Sequence, residues 1–188
     1  MTPIALFGLS GVGKTTLAHE LVNLARDRFF IARITSSRSP RADDDPNYIE
    51  YLSEANFISS VAQGCFSMSW EQDGTYYGYK DSDLRNDQAH PILTCSLSAI
   101  KQVKEHGAIT VLVIGDSVKG LQARGSEEVL KKRTQLNEKN TLLYLDQDWF
   151  KESVDIRHEQ TWGDIANSVQ RLYQSITNVL VSTNSTIG

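Results

Sequence analysis

Residues 8–15, Gly8-Leu9-Ser10-Gly11-Val12-Gly13-Lys14-Thr15, set a lysine and a threonine behind glycines at the spacing Gly-x4-Gly-Lys-Thr. Glycines let successive backbone N–H groups turn inward on an anion, and a helix beginning there points its positive end at the same spot. Lys14 then supplies a point charge to the β- and γ-phosphates of ATP, and the Thr15 hydroxyl a ligand to Mg²⁺. The chemistry needs a strand before the loop and a helix after it. Both are legible: Ile4–Phe7 is an apolar run, and Leu17, Leu21, Leu24 and Ala25 recur at helical spacing. The donor site expected here is Gly8, Leu9, Ser10, Gly11, Val12, Gly13, Lys14, Thr15 and Thr16. His19, one turn on, is expected to be an exposed helical histidine with no catalytic part.

A second group of residues suits a second anion. Thr35-Ser36-Ser37-Arg38-Ser39-Pro40-Arg41 carries two arginines three apart, braced by a proline, followed by Tyr48 and by Tyr76-Tyr77-Gly78. Such arginines clamp a phosphate bidentately, and tyrosine hydroxyls complete its shell without adding charge.

Strands alternate with helices around these groups. Phe29–Ile34 reads as the next strand, and Ser53 opens a helix bearing Phe57 and Val61. Cys65–Trp70 and Thr75–Lys80 flank Asp73-Gly74 as a hairpin. Pro91–Cys95 is a strand, Leu97–Glu105 a helix and Ile109–Ile114 a β-branched strand, followed by a charged helix over about 126–139. The last helix carries Trp162, Ile165, Ala166, Val169, Leu172, Tyr173, Ile176, Val179 and Leu180 on one face, with Thr161 and Asp164 as its capping box. The expected architecture is α/β, a three-layer sandwich with a mainly parallel sheet, an inserted hairpin region and a short helical lid.

The chain has 188 residues, enough for one domain but not two, and its 40% hydrophobic and 22% charged residues are ordinary for a globular protein. A net charge of −4 argues against a nucleic-acid partner, so any anionic substrate is held by local cations. Cys65 and Cys95 lie far apart with no ligand at metal spacing, and both are expected to be small buried side chains. Residues 3–7 are too short an apolar stretch for a signal peptide, and no run approaches a membrane span, so a cytoplasmic location without membrane partners is expected.

From residue 3 to roughly residue 135, the chain resembles the guanylate kinase family. The segments that carry the resemblance, in family order, are the phosphate loop, Ser36-Ser37-Arg38-Ser39-Pro40-Arg41, Tyr48, Ser53 with Ala55-Asn56-Phe57, Phe66, and Tyr76-Tyr77-Gly78. The resemblance implies a P-loop kinase fold and an ATP-dependent transfer to the phosphate of a small acceptor. It implies Thr35, Arg38, Arg41, Tyr48 and Tyr77 around that phosphate, and lid arginines at Arg124 and Arg133. With Lys14, these make Arg38, Arg124 and Arg133 the catalytic cations. It divides one domain, 1–181, into a core (1–34, 89–116, 136–181), an acceptor-binding region (35–88) and a lid (117–135), leaving 182–188 as a flexible tail.

The pattern departs from the family at three places. Guanine is read in the family by a glutamate nine residues before the second tyrosine of Tyr-Tyr-Gly, which here is Met68, and by a small hydroxyl residue, which here is Tyr79. The strand over 92–97 carries aspartates in the family but presents Thr94 and Ser96, leaving Asp116 as the nearest carboxylate for metal. The acceptor expected first is a nucleoside monophosphate. The segment Ser69-Trp70 with Gly74-Thr75-Tyr76-Tyr77-Gly78 is also similar to ribose 1,5-bisphosphate kinases, which makes a phosphorylated sugar the alternative. A non-catalytic binding module of the same fold is the third reading.

Overall fold

A computed structural model describes residues 1–41, 44–117, 127–161 and 163–185, with the side chains of Glu127, Val129, Asn184 and Ser185 left out. The elements are β1 (Ile4–Phe7), α1 (Lys14–Leu24), β2 (Phe29–Ile31), β3 (Ile34–Ser36), β4 (Ile49–Tyr51), α2 (Glu54–Ala62), β5 (Met68–Gln72), β6 (Thr75–Tyr79), α3 (Asp81–Leu84) and β7 (His90–Thr94). A 3₁₀ turn (Leu97–Ala99) leads into α4 (Ile100–Glu105), then β8 (Ile109–Ile114) and α5 (Glu127–Asn140). A π-type turn (Thr141–Leu145), α6 (Asp148–Glu152), β9 (Ile156–Glu159) and α7 (Ile165–Ser185) complete the chain.

Five strands form a parallel sheet in the order β2-β7-β1-β8-β9. Alternation along the strands sends side chains to two cores. Ile4, Leu6, Val111 and Val113 meet Leu17 and Leu21 of α1 and Val169, Leu172 and Ile176 of α7. Ala5, Phe7, Leu93 and Leu112 face the other way, onto Ile100, Val103 and Phe150. The result is the expected three layers, helices on both faces of a mainly parallel sheet.

A second sheet, β4-β3-β6-β5, stands beside the first. Its β5–β6 hairpin pairs Met68 with Tyr79, Trp70 with Tyr77 and Gln72 with Thr75. Asp73 takes φ 52° and Gly74 φ 72° at the tip, the left-handed conformation that an Asp-Gly turn supplies. Ser53 caps α2 by accepting from Asn56 N–H at 3.2 Å.

Four local expectations are corrected. Phe29–Ile34 is two strands in two sheets, because Ala32 N–H still donates to Ile92 O at 3.0 Å while Ile34 N–H donates to Tyr48 O at 2.9 Å. Apolar periodicity cannot mark such a change of partner. Asp164, not Thr161, caps α7: Asn167 N–H donates to Asp164 Oδ1 at 3.4 Å, and the helix begins only at Ile165, where Ala166 is exposed. Helix α7 continues to Ser185, so the tail expected from residue 182 is helical that far, with Thr183 Oγ1 donating to Val179 O and Leu180 O at 3.0 Å. Trp162 and residues 186–188 lie outside the described residues.

Cys65 is exposed, and Cys95 alone is the buried cysteine. Strand β9 was not legible because its inward residues are Ile156 and His158. Burial and then Arg171 lower the His158 pKa, while Ser168 Oγ lies 2.9 Å from its Nε2. A neutral histidine thus fills a core position that hydropathy would not assign.

Candidate active site

The loop after β1 starts and ends on glycines that nothing else could replace. A Cβ on Gly8 would meet Val113 O at 2.6 Å, and Gly13 holds φ 94° as the residue before α1. This close path brings the loop to the C-terminal ends of the parallel strands, where open α/β sheets bind ligands. Lys14 Nζ donates to Gly8 O at 2.8 Å and Leu9 O at 3.0 Å, curled over the loop that it is expected to serve. Val12 is 2% exposed and packs into the core below.

One cavity of ≈ 380 Å³ runs from this loop to the second sheet. Gly8, Leu9, Ser10, Gly11, Gly13, Lys14 and Thr15 line it, whereas Val12 and Thr16 are not in the lining. Arg38, Arg41, Tyr48, Tyr77 and Arg133 line the same cavity. Arg124 lies outside the described residues, with the rest of 118–126. His19 is half-buried in the cavity wall, its ring edge-on to Tyr48 at 4.9 Å, which corrects its expected exposure.

Three arginines, Arg38, Arg41 and Arg133, share this lining with Asp44 and Asp45. Burial lowers the Arg41 pKa first, and the neighbouring Arg38 and Arg133 lower it further. Arg38 differs, because Asp44 grips it bidentately, with Nη1 at 2.7 Å and Nη2 at 2.5 Å from the carboxylate. The same carboxylate accepts from Arg41 N–H at 2.6 Å and from the Tyr51 hydroxyl. Sequence reasoning passed over Asp44 as one of three aspartates, since only the fold shows which one turns inward.

Burial pushes the Asp44 pKa up, but hydrogen bonds from Arg38, Tyr51 and Arg41 N–H outweigh it and hold the carboxyl well below its usual range. Tyr51 is pushed up to about 12 by burial and by its bond to Asp44. A depressed carboxyl stabilises the fold fully above its unfolded value of about 3.9. That contribution is lost as pH falls from there through the folded value. The melting temperature of Asp44→Asn is therefore expected to fall less than that of the parent protein between pH 6 and pH 3. Equal losses in thermal melts would place the acid sensitivity elsewhere.

Three expected acceptor contacts sit elsewhere. Thr35 is fully buried in β3, its Oγ1 without a hydrogen-bond partner, and does not line the cavity. Met68 is 3% exposed, Tyr79 fully buried, and both belong to the core against Leu93 and Phe150. The Tyr79 hydroxyl donates to Thr94 O at 3.2 Å and accepts from Thr94 N–H at 2.9 Å, pinning the second sheet to the end of β7. Tyr79→Phe is expected to cost roughly 1–3 kcal/mol by orphaning those groups. Urea unfolding measures it, and an unchanged midpoint would remove the pinning role.

The face that carries Met68 and Tyr79 reaches the cavity two residues further along the hairpin. Trp70 and Tyr77 stack there with centroids 5.9 Å apart, and Trp70 Nε1 donates to Ser96 Oγ at 2.5 Å. Gln72, Thr94 and Ser96 also line the wall. An alternation of period two carries this information, but not which of its members stops short of the cavity. Asp116, the carboxylate considered for metal, is exposed on the loop after β8 and is not part of the lining. No group of three His, Cys, Asp or Glu suited to a metal occurs among the described residues.

A phosphate loop between the first strand and first helix of a parallel β2-β7-β1-β8-β9 sheet, with arginines across one cavity, defines a P-loop kinase fold. The chain is similar to proteins named guanylate kinase. The chain is 28% identical to the guanylate kinase of Myxococcus xanthus (strain DK1622) over 142 residues, 69% of this chain and 68% of that protein. It is 26% identical to that of Methylobacillus flagellatus over 136 residues, 66% and 67% of the two chains. The guanylate kinase of Trichormus variabilis is 28% identical over 144 residues, 70% and 72% of the two. The crystal structure of guanylate kinase from Anaplasma phagocytophilum superposes with a TM-score of 0.62 over 97% of this chain and 86% of that one, at 13% identity, and shows the fold. No family model matches the chain. Over about two thirds of its length the chain is similar to these guanylate kinases, and the matches give no support to the similarity with ribose 1,5-bisphosphate kinases. No described helix is long and apolar enough to cross a membrane.

Proposed function

We propose that the protein is an ATP-dependent phosphotransferase of the guanylate kinase type, which moves the γ-phosphoryl group onto the phosphate of a nucleoside monophosphate. One observation carries this reading: a single cavity has the phosphate loop and Lys14 at one end and the Arg38, Arg41 and Arg133 cluster at the other. An acceptor phosphate oxygen is already an anionic nucleophile, so no general base is required. That oxygen forms the new bond to the γ-phosphorus as the bond to the β–γ bridging oxygen breaks and ADP leaves. Arg41, Tyr48 and Tyr77 hold the acceptor phosphate, while Lys14 and Arg133 neutralise charge on the transferring group. Region 35–88 is read as the acceptor side and 117–135 as the lid.

Mg²⁺ fits this donor set. It keeps several waters and takes phosphate oxygens, needing few protein ligands. The Thr15 side chain is exposed at the cavity and would hold it, with Thr94 and Ser96 in the same lining. When bound, the ion supplies charge neutralisation at the β- and γ-phosphate oxygens. The use of ATP accords with a cytoplasmic location.

The burial of Met68 and Tyr79 favours one second reading, a phosphorylated pentose as acceptor, because the positions that would read guanine face the core. The test is ATP turnover measured across nucleoside monophosphates and phosphorylated pentoses. A nucleoside monophosphate is expected to stimulate it. Stimulation by a pentose phosphate alone would replace the acceptor assignment, and stimulation by neither would leave a binding module.

A further inference from the structure

The last two turns of α5 touch both substrate ends through one face. Arg133, Leu136, Asn137 and Asn140, at i, i+3, i+4 and i+7, all line the cavity. Asn137 is 6% exposed and forms a reciprocal pair with the phosphate loop: Ser10 N–H donates to its Oδ1 at 3.0 Å, and its Nδ2 donates to Ser10 O at 3.0 Å. Asn140 Oδ1 accepts from Gln72 Nε2 at 3.2 Å, and Lys139 Nζ lies 2.9 Å from Asp73 Oδ1 at the hairpin tip.

We propose that Asn137 is a positioning residue that sets the outer turn of the phosphate loop and, through the same helical face, the placement of Arg133. The proposal rests on the nucleotide reading of that loop. The chemistry is local. Leu9 and Val12 pack against the core, but between them the two peptide planes that flank Ser10 can rotate unless the N–H of one and the C=O of the other are tied. The Asn137 amide ties both at once, and it does so from the helix that carries Arg133 one turn earlier. A loop set in this way binds nucleotide without first losing that rotational freedom. Loosening Ser10 should weaken nucleotide binding and blunt the arginine together, although Asn137 need not touch a phosphate.

The experiment begins with calorimetric titration of ADP in magnesium chloride into the full chain. Asn137→Ala is expected to weaken binding about 5- to 15-fold, the loss of one to two hydrogen bonds, and to raise the KM for ATP in step. Asn137→Asp keeps the size and the Oδ1 acceptor but removes the donor to Ser10 O, and it is expected to weaken ADP as well. The distinguishing readout is a double-mutant cycle on kcat: Arg133→Ala should cost at least threefold less in the Asn137→Ala background than alone. A protein destabilised in general would give additive losses. Unchanged ADP affinity in both Asn137 variants, or additivity in the cycle, would overturn the proposal. Failure of the parent protein itself to bind ADP would remove both this inference and the nucleotide site.

Discussion

Lys14→Ala is expected to yield a folded protein whose phosphoryl transfer is lower by roughly 10²–10³-fold, the loss that follows when one preorganised donor to a transition-state charge is removed. The side chain is half-buried and donates to two carbonyls of its own loop, Gly8 O and Leu9 O. Neither contact holds an element of the core. The substitution is expected to remove charge where the transferring phosphates would lie. Far-UV circular dichroism and a thermal melt establish folding, and turnover at saturating ATP isolates the chemical step. Lys14→Arg is the informative companion, since a planar fork cannot replace a compact ammonium inside a glycine loop. Wild-type turnover in Lys14→Ala would remove the phosphotransferase reading.

Arg41→Ala is expected to weaken the acceptor, whichever it proves to be, by roughly 1.5–3 kcal/mol, about 10- to 150-fold, with little change in the KM for ATP. Arg38 and Arg41 are not equivalent. Asp44 already neutralises Arg38, whereas the Arg41 guanidinium has no carboxylate partner among the described residues and sits beside Arg38 and Arg133. Burial lowers its pKa first, and the neighbouring Arg38 and Arg133 lower it further, a repulsion that an acceptor phosphate would relieve. Initial rates across the acceptor series would show a uniform rise in KM. A rise confined to one acceptor would mean that Arg41 reads the acceptor's body and not its phosphate.

Exchanging Met68 and Tyr79 for glutamate and serine is not expected to confer a guanine preference. Both side chains are core, and a glutamate at position 68 would be buried against Leu93 and Phe150. If a base is bound here, the aromatic surface that the cavity wall offers is the stacked pair Trp70 and Tyr77, of which Trp70 is buried and Tyr77 half-buried.

The donor half of the site was legible in the sequence because it is contiguous. A buried strand, glycines at a close backbone approach, a lysine and a hydroxyl follow one another in 12 positions, and each is demanded by local geometry that Gly8 and Gly13 display. The parallel sheet, the hairpin at Asp73-Gly74 and the capped start at Ser53 were equally local, set by hydropathy period and turn chemistry. Tertiary structure alone decided three things. It sent Met68 and Tyr79 into the core while Trp70 and Tyr77 met the cavity, because alternation assigns a face but not what that face packs against. It chose Asp44 among three consecutive aspartates by folding that one onto Arg38 and Tyr51. It joined Asn137 to Ser10, residues 127 positions apart, and no periodicity or motif records a contact between two groups whose only relation is that separate elements pack side by side.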